Sequence, residues 1–266
     1  MKRNKLQIQW NNAAERWVDF VRTGKDHSRD EMNNPAMFEM LGDIKGKKIL
    51  DIGCGEGYNT RIIAKQGAKV IGIDFSKVMV DFAIQKEKKE RLGIDYYTLN
   101  ACNLHPFCNN SFDIVTCFMT LQDIDDYQLA IKEAGRVIKK HGRFILVIPH
   151  PCFEKRIMKG KTIGGWEYKK GTKVKSPNTA LYYKVDRYFD NHKYIIPWKM
   201  KRLKRYFKTT AFHRTLMDYV DALHNAGFVI TRLKEPKPTK EGIKKYPNYF
   251  AGNLRIPNSM VIEAVK

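Results

Sequence analysis

Residues 49–76 read ILDIGCGEGYNTRIIAKQGAKVIGIDFS. An apolar run breaks into Gly53, Gly55 and Gly57, passes through a helical pattern, and resumes as a second apolar run ending at Asp74. Two short strands joined by a helix make a βαβ unit, and a chain that repeats the unit is committed to a largely parallel sheet. Glycines at the strand-to-helix bend suit close approach of the backbone to a bound nucleotide-like ligand.

The unit does repeat. KKILDIG reads as the first strand, YNTRIIAKQG as a helix stopped by Gly67, and AKVIGID as the second strand. Ser76 is placed as N-cap of a helix bearing Val78, Met79, Phe82 and Ala83. IDYYTLN and SFDIVTCFM follow as strands, the latter apolar enough to be buried on both faces. A helix over DYQLAIKEAGRVIKK and the strand GRFILVIPH complete the fifth unit. Thr215 and Asp218 form a capping box before a helix that Gly227 ends, and FVITRLKE and NSMVIEAVK supply two last strands. The expected fold is α/β: a doubly wound, mostly parallel seven-stranded sheet with helices on both faces. Three parts are expected: N-terminal helices over 1–45, a sheet domain over 46–150 and 209–266, and an inserted segment over 151–208.

That insertion is where composition matters. The formal charge is +21, and between Pro151 and Lys208 stand 17 Lys/Arg against four acids, interleaved with aromatic residues. A basic surface attracts phosphate backbones and anionic small molecules. The five cysteines are odd in number and lack paired metal-ligand spacing, so reduced thiols and no metal are expected. Without a run of about 18 apolar residues or a leader pattern, the expected location is cytoplasmic.

The glycines do not complete a dinucleotide signature, because the third glycine of G-x-G-x-x-G falls on Tyr58. What stands instead is Asp51-x-Gly53-x-Gly55-x-Gly57. A carboxylate is repelled by a pyrophosphate and attracted by an ammonium, which favours an amino-acid-bearing nucleoside. The stretch resembles motif I of the class I S-adenosylmethionine-dependent methyltransferases, with the Rossmann-like fold, and the small-molecule branch with type 11 and type 25 domains is the most similar. The resemblance covers residues 40–150 and again 210–266. It implies S-adenosylmethionine as cofactor, S-adenosylhomocysteine as product, and a glycine loop with Cys54 under the methionine moiety. It implies Asp74 on the ribose hydroxyls, Phe75 and Met79 flanking the adenine, and Ser76 among the cofactor-binding residues. Asn100, Ala101 and Cys102 would meet the adenine edge, Asn100 accepting through its amide carbonyl where the family has an acid. Phe118, at the fourth-strand end, completes the expected cofactor set.

The acceptor is less constrained. The fourth strand ends in CFMTLQDIDDY rather than the Asn/Asp-Pro-Pro-aromatic run of base-amine methyltransferases, and Cys117 and Cys152 read as inert thiols. His150, after the fifth strand, is the candidate general base, against the alternative of a histidine that only hydrogen-bonds its loop, and an activated sulfonium needs little beyond orientation. In the small-molecule branch the N-terminal helices and the insertion close over the acceptor. That makes Trp17, His27, Phe153, Tyr182, Tyr188 and His213 the expected acceptor pocket. Methyl transfer to O or N of a small molecule, an anionic one being suggested by the basic insertion, ranks first; tRNA or rRNA methylation ranks second. A non-catalytic cofactor-binding regulatory or partner subunit ranks third. A monomer or homodimer, away from membranes, is expected.

Overall fold

The computed structural model describes residues 5–158, 160–200 and 205–266, without the side chains of 199, 200 and 205. Lys159, Lys201, Arg202 and Lys204 of the basic insertion therefore lie outside the described residues.

Three N-terminal pieces come first: α1 (Lys5–Arg22), a π-helical turn (Arg29–Asn33) and α2 (Asn34–Leu41). Then β1 (Lys48–Ile52), α3 (Tyr58–Lys65), β2 (Lys69–Asp74), α4 (Lys77–Glu90), β3 (Asp95–Thr98), β4 (Phe112–Phe118), α5 (Tyr127–Val137) and β5 (Ile138–Pro149) follow in order. The insertion forms β6 (Arg156–Met158), β7 (Lys161–Ile163), β8 (Gly165–Glu167), β9 (Tyr182–Lys184), β10 (His192–Met200) and β11 (Arg205–His213). The chain closes with α6 (Leu216–Asn225), β12 (Val229–Lys234), α7 (Lys240–Lys245), α8 (Pro247–Phe250) and β13 (Ser259–Val265).

The central sheet runs β12-β13-β5-β4-β1-β2-β3. Its strands are parallel except β13, which is antiparallel to both β5 and β12. Alternation sorts the core. Leu50, Val115 and Leu146 point to the face covered by α5 and α6, whereas Ile49, Ile114 and Ile145 point to the face covered by α2 and α3. Fully burying each such side chain contributes roughly 1.5–3 kcal/mol. α4 packs beside them, setting Val80 and Ala83 against Ile94 and Tyr96.

Local signals account for the helix ends. Ser76 Oγ accepts from Met79 N at 3.3 Å, Thr215 and Asp218 form a reciprocal capping box, and Gly67 and Gly227 stand at φ +88° and +84°. Two boundaries differ from expectation. α2, grouped with the N-terminal cap by its position in the sequence, buries Met37, Met40 and Leu41 on the sheet and belongs to the central layer. β11 runs past Lys208 to His213, because its ladder with β10 continues to His192; backbone pairing, not charge, ends the insertion. The inserted strands pair as three separate hairpins, β6–β7, β8–β9 and β10–β11. Among the described residues no helix is long and apolar enough to cross a membrane.

Candidate active site

β1 neighbours both β2 and β4, so the chain reverses its direction of winding at the carboxyl end of β1. A crevice opens at such a point in α/β sheets. The bend fills its floor. Gly53 and Cys54 donate their backbone N–H groups to Ile73 O at 2.8 and 2.9 Å, locking the loop to β2. Gly53 and Gly55 stand at φ +69° and +55°, where side chains are strained. A Cβ on Gly53 would overlap Thr120, whereas a Cβ on Gly55 would meet no protein atom within 4 Å. Gly55 therefore faces open space, at the edge of Asp74.

Asp74 Oδ2 accepts from Gly55 N at 3.0 Å and Oδ1 from Ser76 N at 2.8 Å, so each oxygen keeps a lone pair free of these bonds. Burial pushes its carboxyl up to about 6 against those two donors. Asp51 is 2% exposed. Its oxygens accept from Thr60 Oγ1 at 2.6 Å and Thr116 Oγ1 at 2.8 Å, and burial lifts its carboxyl to about 6 as well. Asp51 borders the crevice with each carboxylate oxygen held by one of these hydroxyls and, as in Asp74, a lone pair of each oxygen outside these bonds.

The crevice is a cavity of about 570 Å³, inside the usual range for small-molecule sites. The expected cofactor residues Asp51, Gly53, Cys54, Gly55, Asp74, Phe75, Met79, Asn100, Ala101, Cys102 and Phe118 line it together. Gly57 and Ser76 do not; Gly57 turns the chain into α3, and Ser76 caps α4 while its hydroxyl donates to Asn11 at 2.7 Å. The Asn100 carbonyl oxygen already accepts from Cys102 N at 3.0 Å. Cys102 donates to Asp126 O, and burial raises its thiol to about 11.

The roof comes from distant parts of the chain. Trp10, Trp17 and Phe20 of α1 and Ile196 and Trp198 of β10 line the same cavity as the glycine bend. Trp17 meets Trp10 and Trp198 edge-on at 5.8 and 5.1 Å between ring centroids. α1 is held there because Ala14 and Val18 pack on Met79, and because Gln7 Nε2 donates to Phe75 O at 2.6 Å. Charge is one-sided. Asp26, Asp51, Glu56, Asp74, Asp123, Asp125 and Asp126 line the cavity, and among the described residues Arg29 is the one Lys or Arg that does.

This architecture recurs in known proteins. A family model described as a methyltransferase domain matches residues 50–146. The crystal structure of an S-adenosylmethionine-dependent methyltransferase from Mesorhizobium loti superposes with a TM-score of 0.68 at 25% identity, covering 87% of this chain and 96% of that one. Residues 50–146 thus carry a methyltransferase domain, and the fold around them is the Rossmann-like fold of S-adenosylmethionine-dependent methyltransferases. A ubiquinone biosynthesis O-methyltransferase of Coxiella burnetii is 34% identical over 125 residues, 47% of this chain and 52% of that enzyme. The chain thus spans about half the length of the curated relatives of this kind. An uncharacterized Haemophilus influenzae protein is 26% identical over 242 residues, covering 88% of this chain and 87% of the other.

Set in this methyltransferase frame, several expected acceptor-side residues have other work. His150 is 5% exposed and does not line the cavity. Its Nδ1 accepts from Cys152 N at 3.3 Å, which places the ring proton on Nε2, donated to Glu235 at 3.0 Å. Both nitrogens are occupied in tying the loop, so the general-base reading is corrected. Among the pocket expectations Trp17 lines the cavity; His27, Phe153, Tyr182, Tyr188 and His213 do not. His27 stacks on Tyr246 at 3.7 Å. Phe153 packs between His150 and Tyr183. Tyr182 is 57% exposed on β9. His213 bridges Glu154 Oε2 at 2.6 Å and Tyr188 O at 2.8 Å, while the Tyr188 hydroxyl accepts from Leu216 N. These are struts of the insertion.

Sequence reading missed Trp10, Phe20, Asp26, Arg29, Gln122, Asp123 and Trp198 as lining residues. One signal was available: all four tryptophans of the chain lie in the two segments expected to cap the site, and three of them, Trp10, Trp17 and Trp198, line the cavity. Amphipathic spacing alone does not separate an aromatic residue facing core from one facing a cavity.

Proposed function

We propose that this chain moves a methyl group from S-adenosylmethionine to an oxygen or nitrogen of a small-molecule acceptor enclosed by α1 and β10. The carrying observation is the pairing of Gly55, open to the cavity, with the Asp74 carboxylate at the end of β2. S-adenosylmethionine fits these residues. A ribose edge can donate to the free lone pairs of Asp74, Phe75 and Met79 can flank the adenine, and the missing Cβ of Gly55 leaves room for the ligand to meet backbone. When bound, that cofactor supplies a methyl group on a sulfonium, already activated for in-line displacement.

The chain's own part is to bind, orient and exclude water. Arg29, stacked 3.8 Å over Tyr58 and ion-paired with Asp30 at 2.9 Å, lines the cavity and can share its guanidinium with the amino-acid carboxylate. The aromatic roof shields the reacting atoms from solvent, which strengthens every polar contact beneath it. The relatives' names, among them a ubiquinone biosynthesis O-methyltransferase, support a small-molecule acceptor. RNA finds less support: of the insertion's described Lys and Arg residues, none lines the cavity.

Two measurements test this. S-adenosylhomocysteine should raise the melting temperature, by several degrees when present well above its Kd. Labelled methyl should then enter the small-molecule fraction of an extract. Absence of the melting shift rejects cofactor binding; label in RNA rejects the acceptor class; a shift without any transfer points to the partner-subunit reading.

A further inference from the structure

The cavity's charge runs against that of the whole chain. A protein of formal charge +21 has surrounded its internal cavity with carboxylates. Several of these are already satisfied: Glu56 is paired with Arg61 at 2.9 Å and Arg22 at 2.8 Å, and Asp51 and Asp74 accept from hydroxyl and amide donors. Asp126 accepts from Leu129 N as the cap of α5. Asp123 is different.

Asp123 and Gln122 sit together on the short 3-10 turn Leu121–Asp123 that follows β4, directly below the β10–β11 hairpin. Gln122 is 6% exposed, donates its amide to Met119 O, and leaves its carbonyl Oε1 without a partner. Asp123 Oδ1 is likewise buried and unpartnered. The nearest cation does not neutralise it by contact. Arg214 spends its guanidinium on Leu121 O at 2.8 Å, on Ile124 O and on Asp125 O at 3.1 Å, and lies 4.0 Å over the Tyr127 ring. Two adjacent acceptors in a cavity with three indole rings make a chemically specific offer. Buried acceptors ask for donors, a carboxylate asks for a cation, and indole faces are the best aromatic partners of organic cations.

We infer that the methyl acceptor is an organic amine, bound as its ammonium between the Asp123 carboxylate, the Gln122 carbonyl and the rings of Trp10, Trp17 and Trp198. The inference rests on the methyltransferase reading above and narrows its acceptor atom to nitrogen; it replaces the anionic acceptor suggested by the basic insertion. The ammonium gives one proton to Asp123, which frees the nitrogen lone pair. Burial, with the Asp74 charge adding to it against Arg214, holds the Asp123 carboxyl well above the usual carboxylate range and suits it to keep that proton. The lone pair forms the new N–C bond as the methyl–sulfur bond breaks and its electron pair stays on sulfur. The N-methylated product leaves as an ammonium, and Asp123 returns its proton to water.

Three probes of one shape separate charge from size: 2-phenylethylamine, 2-phenylethanol and 3-phenylpropanoate. Binding is read by quenching of the tryptophan fluorescence in protein saturated with S-adenosylhomocysteine. The amine should bind roughly tenfold more tightly than the alcohol, with the carboxylate weakest. Asp123→Asn should remove most of that preference while S-adenosylhomocysteine still raises the melting temperature, and Gln122→Met should weaken the amine alone. A preference for the carboxylate, or indifference among the three in the wild-type protein, overturns the inference even if either variant fails to fold. Loss of S-adenosylhomocysteine binding by the wild-type protein would instead strike the underlying methyltransferase reading.

Discussion

The floor and the roof of the cavity are made in opposite ways. The floor uses residues that are near neighbours in the chain, from Asp51 to Asn59 and from Asp74 to Met79, and much of its work is done by backbone: amides on Asp74, glycines at positive φ, a loop hydrogen-bonded to Ile73 O. The roof joins Trp10 and Trp17 of the N-terminal helix to Trp198 of the insertion, and it holds by side-chain packing and a few polar ties such as Trp198 Nε1 to Thr209 Oγ1 at 2.8 Å. Backbone geometry admits one ligand shape and tolerates little change. A side-chain roof can be rebuilt around a new acceptor without disturbing what lies beneath.

The sharpest break of that contrast is Gly55→Val. Strain at φ +55° and a branched side chain placed in the cavity should cost about 100-fold or more in S-adenosylhomocysteine affinity, measured by calorimetry, with the chain still folded. Retained affinity would mean that the ligand does not approach the floor.

Protonation gives a smaller, graded effect. The carboxyls of Asp51 and Asp74 titrate near 6 in the folded chain against an ordinary value of 3.8. Because the folded pKa is raised, these groups favour the folded state below about pH 4. That advantage is lost as pH rises toward 6 and stays lost above it. Ligand binding has the opposite sign, since ribose hydroxyls need the ionised Asp74 as acceptor. S-adenosylhomocysteine affinity should fall about tenfold between pH 7 and pH 5. Asp74→Asn should bind weakly throughout and lose that slope; a slope that survives in the variant would assign the titration to another group.

The smallest expected effect lies outside both walls. His150→Ala removes the bond to Glu235 and the cap on Cys152 N, so a loss of about 1 kcal/mol in unfolding free energy is expected, with kcat within twofold of wild type. A fall of about 100-fold in kcat at unchanged folding would restore it as a base.

The floor was legible in the sequence because its information is local. A strand, a glycine bend and an acid one βαβ unit later occupy fixed offsets, and Ser76, Gly67 and the Thr215–Asp218 pair state their caps within four residues. Asn100 was legible by position, though its carbonyl proves to be shared with Cys102 N. The roof was not legible in the same way. Nothing in the sequence around His150, Tyr188 or His213 distinguishes a residue aimed at a ligand from one that ties a loop, and the structure uses all three as ties.

By itself, then, the sequence determined the parallel α/β sheet and the place of the glycine bend, because hydrophobic period, glycine and capping residues act over a few positions. Tertiary structure alone decided that the basic insertion turns Ile196 and Trp198 of β10, rather than its described lysines and arginines, toward the cavity, and that Trp10, Trp17 and Trp198 line one cavity with Gln122 and Asp123. Net charge sums over a whole surface, whereas a ligand responds to the few groups within a screening length of it, and only folding selects which groups those are.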